Sequence, residues 1–289
     1  MNQIGPIWAV VPCFNRSANT LRFLASFFRQ DYVDKHVVIV DDGSSDQTAF
    51  NVRCNYPSAH VVEGDGSLWW AGGTNLGIRY ALERGARYIL TINDDAQFDP
   101  TLLSTLAAVA ADDPRYIVGA VIMMETAPGI IWSVGSSTAL EDPRLMRLNH
   151  AGQHASLLDC LADPFPVSYM PGNGVLLPAA VFKTVGLYDE VNFPQYHADS
   201  ELVLRARLSG NFLPVISLKA RVLNQILMCP LVTNVKDLLF SKKSDLYWPA
   251  LATFFIRHHP EVDLREVFNR LYSPFQTGLE IPESIEYRA

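Results

Sequence analysis

From Ile7 to Asp95 the apolar residues fall in short unbroken runs, each followed by a longer stretch where they recur at helical spacing. The runs Trp8 to Val11, Val37 to Val40, His60 to Val62 and Tyr88 to Ile92 read as strands, because unbroken hydrophobicity marks a strand covered on both faces. Leu21, Leu24, Phe27 and Phe28 share a helical face, and Leu76, Tyr80 and Leu82 do so less perfectly. Alternating strand and helix signals of this kind predict βαβ units on a parallel sheet.

Such a Rossmann-like half collects ligands beyond the carboxyl ends of its strands. Three polar segments fall there: Pro12-Cys13-Phe14-Asn15-Arg16, Asp41-Asp42-Gly43-Ser44-Ser45-Asp46 and Asn93-Asp94-Asp95. All three are expected to face one crevice. Past Asp112 the pattern is mixed, with strand-like Tyr116 to Met123 and Ile130 to Val134, then a loop-rich stretch from Ser136 to Pro166. Gly172-Asn173-Gly174 opens the run Val175-Leu176-Leu177, which leads into helix-like Ala179 to Val185, and a further helix begins near Asp199. The division this predicts is a catalytic unit over 1–225, with a donor half to about 112 and an acceptor half over 113–225, followed by a helical extension over 226–289.

The chain has 289 residues, 49% of them hydrophobic, enough for a large core rather than a disordered chain. A net charge of -7 gives no electrostatic reason to bind nucleic acid. Cys13, Cys54, Cys160 and Cys229 are far apart and form no C-x-x-C pair, which predicts reduced, buried thiols and a cytoplasmic protein. The start of the chain lacks a secretion signal, and no run supplies the roughly 20 apolar residues of a membrane span. Leu246 to Ile256, flanked by Lys242-Lys243 and Arg257-His258-His259, suits either a peripheral membrane contact on the inner face or packing against the core or a second copy in a homodimer. Packing is favoured, because the run is short and Pro249 interrupts it.

Adjacent acids at a strand tip repel one another, so Asp94-Asp95 suits a hard divalent cation, although for the pair taken alone capping of the next helix is the favoured reading. Asp41-Asp42 followed by Gly43-Ser44-Ser45-Asp46 can accept from a base or ribose, or can form a tight βα turn with Asp46 or Ser45 as cap. Gly66 to Gly77 allows close backbone approach to a ligand, and the next helix's N-terminus can favour a phosphate. Trp69 and Trp70 suit stacking on a sugar or base, or core packing.

Taken in order, Val11 to Arg16, Val40 to Asp46, Asn93-Asp94-Asp95 and His197-Ala198-Asp199 resemble the motif series of family 2 glycosyltransferases, and within it the bacterial rhamnosyltransferase-like branch. The resemblance covers roughly Ile7 to Asn224. It implies a GT-A fold of α/β class, with a mixed central sheet. It further implies Pro12, Asn15, Asp41 and Asp42 around the base and ribose, Gly73, Asn75 and Trp70 in a loop beside the donor, Asn93 and Asp94 near the sugar and diphosphate, and Asp95 on the metal. Asp199 stands where the family keeps its base, with Gly172, Asn173 and His197 on the acceptor side; His197 can equally cap its helix.

Two positions depart from the family pattern: Ala198 replaces the usual Glu, and Asn224 stands where many relatives have a metal-binding His. The function this implies is inverting transfer of a sugar from a nucleoside-diphosphate donor, dTDP or UDP favoured, to a glycan or lipid-linked hydroxyl, with Mn²⁺ or Mg²⁺, in surface polysaccharide synthesis. The alternatives are a catalytically weakened sugar-nucleotide-binding protein and a sugar nucleotidyltransferase. The latter normally carries a glycine-rich loop after its first strand, which Pro12 to Arg16 lacks.

Overall fold

The computed structural model describes residues 4–127, 129–137, 148–225 and 235–269. The first strands are β1 (Ile7–Cys13), β2 (Lys35–Asp41), β3 (His60–Glu63) and β4 (Tyr88–Thr91), joined by helices α1 (Ser17–Phe28), α2 (Thr48–Asn55) and α3 (Trp69–Glu83). All these strand pairings are parallel, in the order β3-β2-β1-β4. Short β5 (Gln97–Phe98) and α4 (Leu102–Asp112) lead to β6 (Tyr116–Met124) and β7 (Ile131–Ser133). The second half adds a 3-10 turn at Ala155–Cys160, β8 (Phe165–Pro166), β9 (Val175–Pro178), α5 (Ala179–Thr184), α6 (Ala198–Leu208), β10 (Leu213–Asn224), α7 (Val235–Phe240) and α8 (Trp248–His258).

One sheet carries both halves. It continues from β4 through β9, β6 and β10 to β5; β9 runs antiparallel to both β4 and β6, which makes the sheet mixed as expected. The long β10, parallel to β6, was not read from the sequence, because Lys219 and Arg221 break its apolar run. Its register with β6 shifts between Ser217 and Arg221, so Leu218 to Ala220 form a bulge in which Lys219 reaches solvent while Leu218 and Ala220 stay buried.

Period-two geometry separates the core into two layers. Trp8, Val10, Val38 and Val40 point to one face, into a layer they share with Ile78 and Ala81 of α3, Leu202 and Val203 of α6 and Phe254 of α8. Ile7, Ala9, Val11, Val37 and Ile39 point to the other, under Phe23, Leu24 and Phe27 of α1 and Leu102 and Leu106 of α4. Helix α8 joins this core through Ala250 and Phe254, whose ring meets Tyr169 edge-on at 6.3 Å, while Leu251 and Phe255 on its other side pack with Val267 in a small separate cluster. Among the described residues no helix is long and apolar enough to cross a membrane. Cys13 is the buried thiol expected, but Cys54 and Cys160 are exposed, and Cys229 lies outside the described residues.

The sheet fixes what can sit at its ligand-binding edge. Pro12 pairs with Val40 and Cys13 with Asp41, so the tips of β1 and β2 end level. Thr91 pairs with Val175, which brings the residues before β9 to the tip of β4, and Asn224 ends β10 opposite Met124.

Helix α3 lies close on this sheet because Gly77 has no side chain. A Cβ there would sit 2.5 Å from Val10 Cγ1 and 3.0 Å from Val40 Cγ2, both on stiff β-branched residues. Gly77→Ala should lower stability by about 1–3 kcal/mol in urea denaturation, with an unchanged m-value.

Candidate active site

The acidic pair at the tip of β2 is buried and already hydrogen-bonded. Asp41 accepts from Ser44 N at 3.0 Å and Ala49 N at 2.9 Å, and so caps α2. Asp42 accepts from the amides of Gly66, Leu68 and Trp69 at 2.8, 2.9 and 3.2 Å. The amide of Trp70 donates to the Gln195 side chain at 3.2 Å. The N-terminal amides of α3, expected to be open to a phosphate, are thus closed by a carboxylate and an amide of the protein itself. Helix termini need such partners, and an acid directly after a strand can supply them more firmly than water can.

The loop after β1 is tied to the loop after β2. Asn15, in the left-handed region at φ 53°, accepts from Ser45 N at 2.8 Å through Oδ1 and donates its own amide to Ser44 Oγ at 2.8 Å. Asp46 accepts from Ser17 N at 2.9 Å and Thr48 N at 3.1 Å, which brackets the starts of α1 and α2. Neither cap the sequence suggested for this turn is the residue found there: Gln47, at φ 64°, holds the N-cap position of α2, and Asp46 just before it accepts from Thr48 N, the first amide of the helix.

Asn75, expected beside the donor, is a brace. Its Oδ1 accepts from Tyr188 N at 3.0 Å, while Nδ2 donates to Tyr188 O at 2.9 Å and to Glu190 at 2.6 Å. Both ends of the amide are occupied within the protein. Gly73, two residues earlier, lets α3 approach the first loop: a Cβ there would meet Pro12 Cβ at 3.1 Å.

At the tip of β4 the two acids differ. Asp94 turns inward to Thr20 Oγ1 at 3.5 Å and Arg16 Nε at 3.3 Å, and burial pushes its carboxyl up to about 7 despite the nearby guanidinium. Asp95 is 6% exposed; its Oδ2 meets Arg16 Nη2 at 2.8 Å, while its Oδ1 is buried with no hydrogen-bond partner. A buried acceptor without a donor is costly, and a hard cation satisfies it. Among the described residues no three His, Cys, Asp or Glu groups come together around a metal position. The donor set therefore fits a cation held by one protein carboxylate and completed by oxygens of a ligand or water.

Hydrogen bonds link this tip to the acceptor side. Trp70 Nε1 donates to Asn93 Oδ1 at 3.1 Å, Asn93 N donates to Asn173 Oδ1 at 3.1 Å, and Asn173 Nδ2 donates to Asn224 Oδ1 at 3.1 Å. Next to Asn173, Gly172 N donates to Asp199 Oδ2 at 2.7 Å, and Ser200 N donates to Asp199 Oδ1 at 2.8 Å. A Cβ on Gly172 would sit 2.9 Å from both Asp199 Cβ and Trp70 Cη2, so Trp70, Gly172 and Asp199 form one wall. The structure thus brings together Trp70, Asn93, Asp94, Asp95, Gly172, Asn173 and Asp199.

His197 occupies the N-cap position of α6, but its side chain makes no capping hydrogen bond there. It precedes α6 in the left-handed region at φ 69° and bonds the Asp245 carbonyl through Nε2 at 2.7 Å. Burial holds its imidazole below the usual range, against the opposite pull of that carbonyl and of Asp199. Further along α6, Glu201 is fully buried and paired with Arg205 at 3.0 Å and with His258 of α8 at 3.3 Å. Burial alone would raise its carboxyl; the bonds from His258 and Arg205 hold it below the ordinary value.

Arg16, Gln195 and Tyr188 had no assigned role in the sequence. Arg16 lies 79 positions from Asp95, and no spacing rule connects them. A basic residue directly after Asn15 was the only signal.

The family model described as glycosyl transferase family 2 matches residues 8–158. The low-salt glycan biosynthesis hexosyltransferase Agl10 of Haloferax volcanii is 24% identical over 172 residues, covering 59% of this chain and 52% of that protein. The dTDP-rhamnosyl transferase RfbF of Shigella flexneri is 24% identical over 215 residues, covering 73% of this chain and 66% of that protein. The chain thus spans between half and two thirds of the length of these relatives. The crystal structure of GalNAc-T7 with UDP, GalNAc and Mn²⁺ superposes with a TM-score of 0.66 at 14% identity, over 96% of this chain and 52% of that one. The fold is GT-A, as the motif series implied.

Because Glu201 titrates below the ordinary carboxylate value when folded, its contribution is full above that value and is lost as pH falls through the folded one. Glu201→Gln should cost about 3–5 kcal/mol at pH 7. The gap to the parent protein should shrink on acidification below about pH 4.5, read from denaturant melts across pH.

Proposed function

The chain belongs to glycosyl transferase family 2, and from that premise we propose that it transfers a sugar from a nucleoside diphosphate to an acceptor hydroxyl with inversion at the anomeric carbon. The observation that carries this reading is the pair of bonds at Gly172-Asn173, which ties Asp199 to the strand tip bearing Asn93 and Asp95. Displacement in one step needs one group to take the acceptor proton and another site to receive the leaving diphosphate. Asp199 serves the first need and Asp95 the second.

Asp199 acts as the base. Each of its oxygens accepts one backbone amide, from Gly172 and Ser200, which fixes the carboxylate plane and leaves a further lone pair for the hydroxyl. The proton passes from that hydroxyl to Asp199 as the new glycosidic bond forms. The anomeric carbon's bond to the diphosphate breaks, and its electrons leave with the phosphate. Trp70 walls the space between Asn93 and Asp199 and excludes water from it.

Asp95 would hold Mn²⁺ or Mg²⁺ through Oδ1, and the cation supplies charge neutralisation for the departing diphosphate. Asn224 engages Asn173, so the metal shell draws on Asp95 and ligand oxygens rather than on that position. GalNAc-T7 was crystallised with UDP and Mn²⁺, which supports the nucleotide and the cation here; RfbF's name favours a dTDP donor, and Agl10's favours a glycan product. We assign Pro12, Asn15 and the Asp41 turn to the base and ribose, with the acceptor glycan or lipid-linked sugar approaching Gly172 and Asp199. Asp42 and Asn75 serve this site by holding α3.

Asp199→Asn keeps the shape but cannot take a proton. It should lower kcat by roughly 10²–10⁴ with nucleotide affinity unchanged, measured by transfer assays beside calorimetric titration with UDP and dTDP. Full transfer by this variant removes Asp199 from the role. Thorough chelation should abolish transfer and added Mn²⁺ or Mg²⁺ restore it; transfer that survives chelation defeats the metal requirement.

A further inference from the structure

Asp94 and Asp95 share one positive partner within the chain. Arg16 reaches Asp94 with Nε at 3.3 Å and Asp95 with Nη2 at 2.8 Å, and both acids are nearly inaccessible. A guanidinium cannot lose its proton, and its planar fork suits two carboxylates at once. Asp95 Oδ1 is the buried oxygen that this arrangement leaves unpaired.

We propose that Arg16 is the resident counter-cation of the acidic pair and an internal competitor of the divalent metal, so that the metal enters together with the nucleotide rather than before it. The inference rests on the reading of Asp95 as the metal ligand. Without nucleotide, a divalent ion meets one free carboxylate oxygen beside an existing positive charge, with half of the pair's charge already neutralised. A nucleoside diphosphate adds two or more negative charges and further oxygens at that spot, which reverses the balance. Linkage then requires the metal to raise nucleotide affinity by the same factor as the nucleotide raises metal affinity.

Arg16 itself sits at the start of α1, where Thr20 N and Oγ1 bond its carbonyl, so its backbone is fixed while its side chain, 29% exposed, is free to turn toward a ligand. The guanidinium can therefore leave Asp95 for the arriving diphosphate without moving the helix.

The test is Mn²⁺ binding to the full chain, followed by the loss of the free-ion electron paramagnetic resonance signal, with and without UDP or dTDP. Arg16→Gln should bind Mn²⁺ without nucleotide at least about tenfold more tightly than the parent protein, a gain equal to roughly 1.4 kcal/mol. The enhancement by nucleotide should shrink in step. Arg16→Lys, whose single ammonium cannot bridge both acids, should fall between the two. It decides the matter if Arg16→Gln is shown by circular dichroism not to fold. Nucleotide-dependent binding in the parent protein, with no gain in either variant, overturns the Arg16 assignment alone. No Mn²⁺ binding by the parent protein even with nucleotide removes the metal reading, and this inference with it.

Discussion

A single carboxamide joins the two halves of the cleft. Asn173 accepts from the backbone of Asn93 and donates to Asn224, so one side chain holds the tips of β4 and β10 on either side of β9. Its neighbour Gly172 gives its amide to Asp199. The distance between the acid at one strand tip and the acid at the start of α6 is therefore set by two adjacent residues of one tight loop. Such short, buried links in a low-dielectric setting are stiff, and they need the small residue beside them: any Cβ on Gly172 would press on Trp70 and Asp199 together.

Around this link, acidic side chains divide into those that build the site and those that remain open to a ligand. Asp41, Asp42 and Asp46 close helix starts. Glu201 anchors α6 to α8 through His258. Asp95 keeps one oxygen unpaired, and Asp199 keeps lone pairs beyond its two amide bonds. The chemistry proposed for the protein falls on these two, and the structural acids make their positions rigid.

This division bears on what a sequence can disclose. The parallel strands were legible because burial on both faces writes continuous apolar runs, as in Val37 to Val40, and the strand-tip rule then located the cleft. The motif order pointed to Asn93, Asp95 and Asp199 together although they lie far apart in the chain. The roles of Asp42 and Asn75 were not legible, because an acid or amide that binds a ligand and one that binds backbone amides have the same letter and the same neighbours. Asn75 finds its partners at Tyr188 and Glu190, more than a hundred positions away. Strand β10 was hidden for a different reason: Lys219 sits in a bulge and Arg221 directly after it, and no periodicity survives a register shift. Arg16 illustrates the same limit, since its two partners come from a strand tip that folding alone brings near.

The burial of Phe254 against Tyr169 has a consequence for how the protein is made. Synthesis runs from the N-terminus, and domains generally fold as their residues emerge. Here the layer over Leu202 and Val203 is completed by α8, among the last described elements to leave the ribosome. The layers around β1 and β2 can close early, but the helix that carries Asp199 waits for its cover, so the nascent chain acquires its parallel sheet before the wall beside Asp199 is firm.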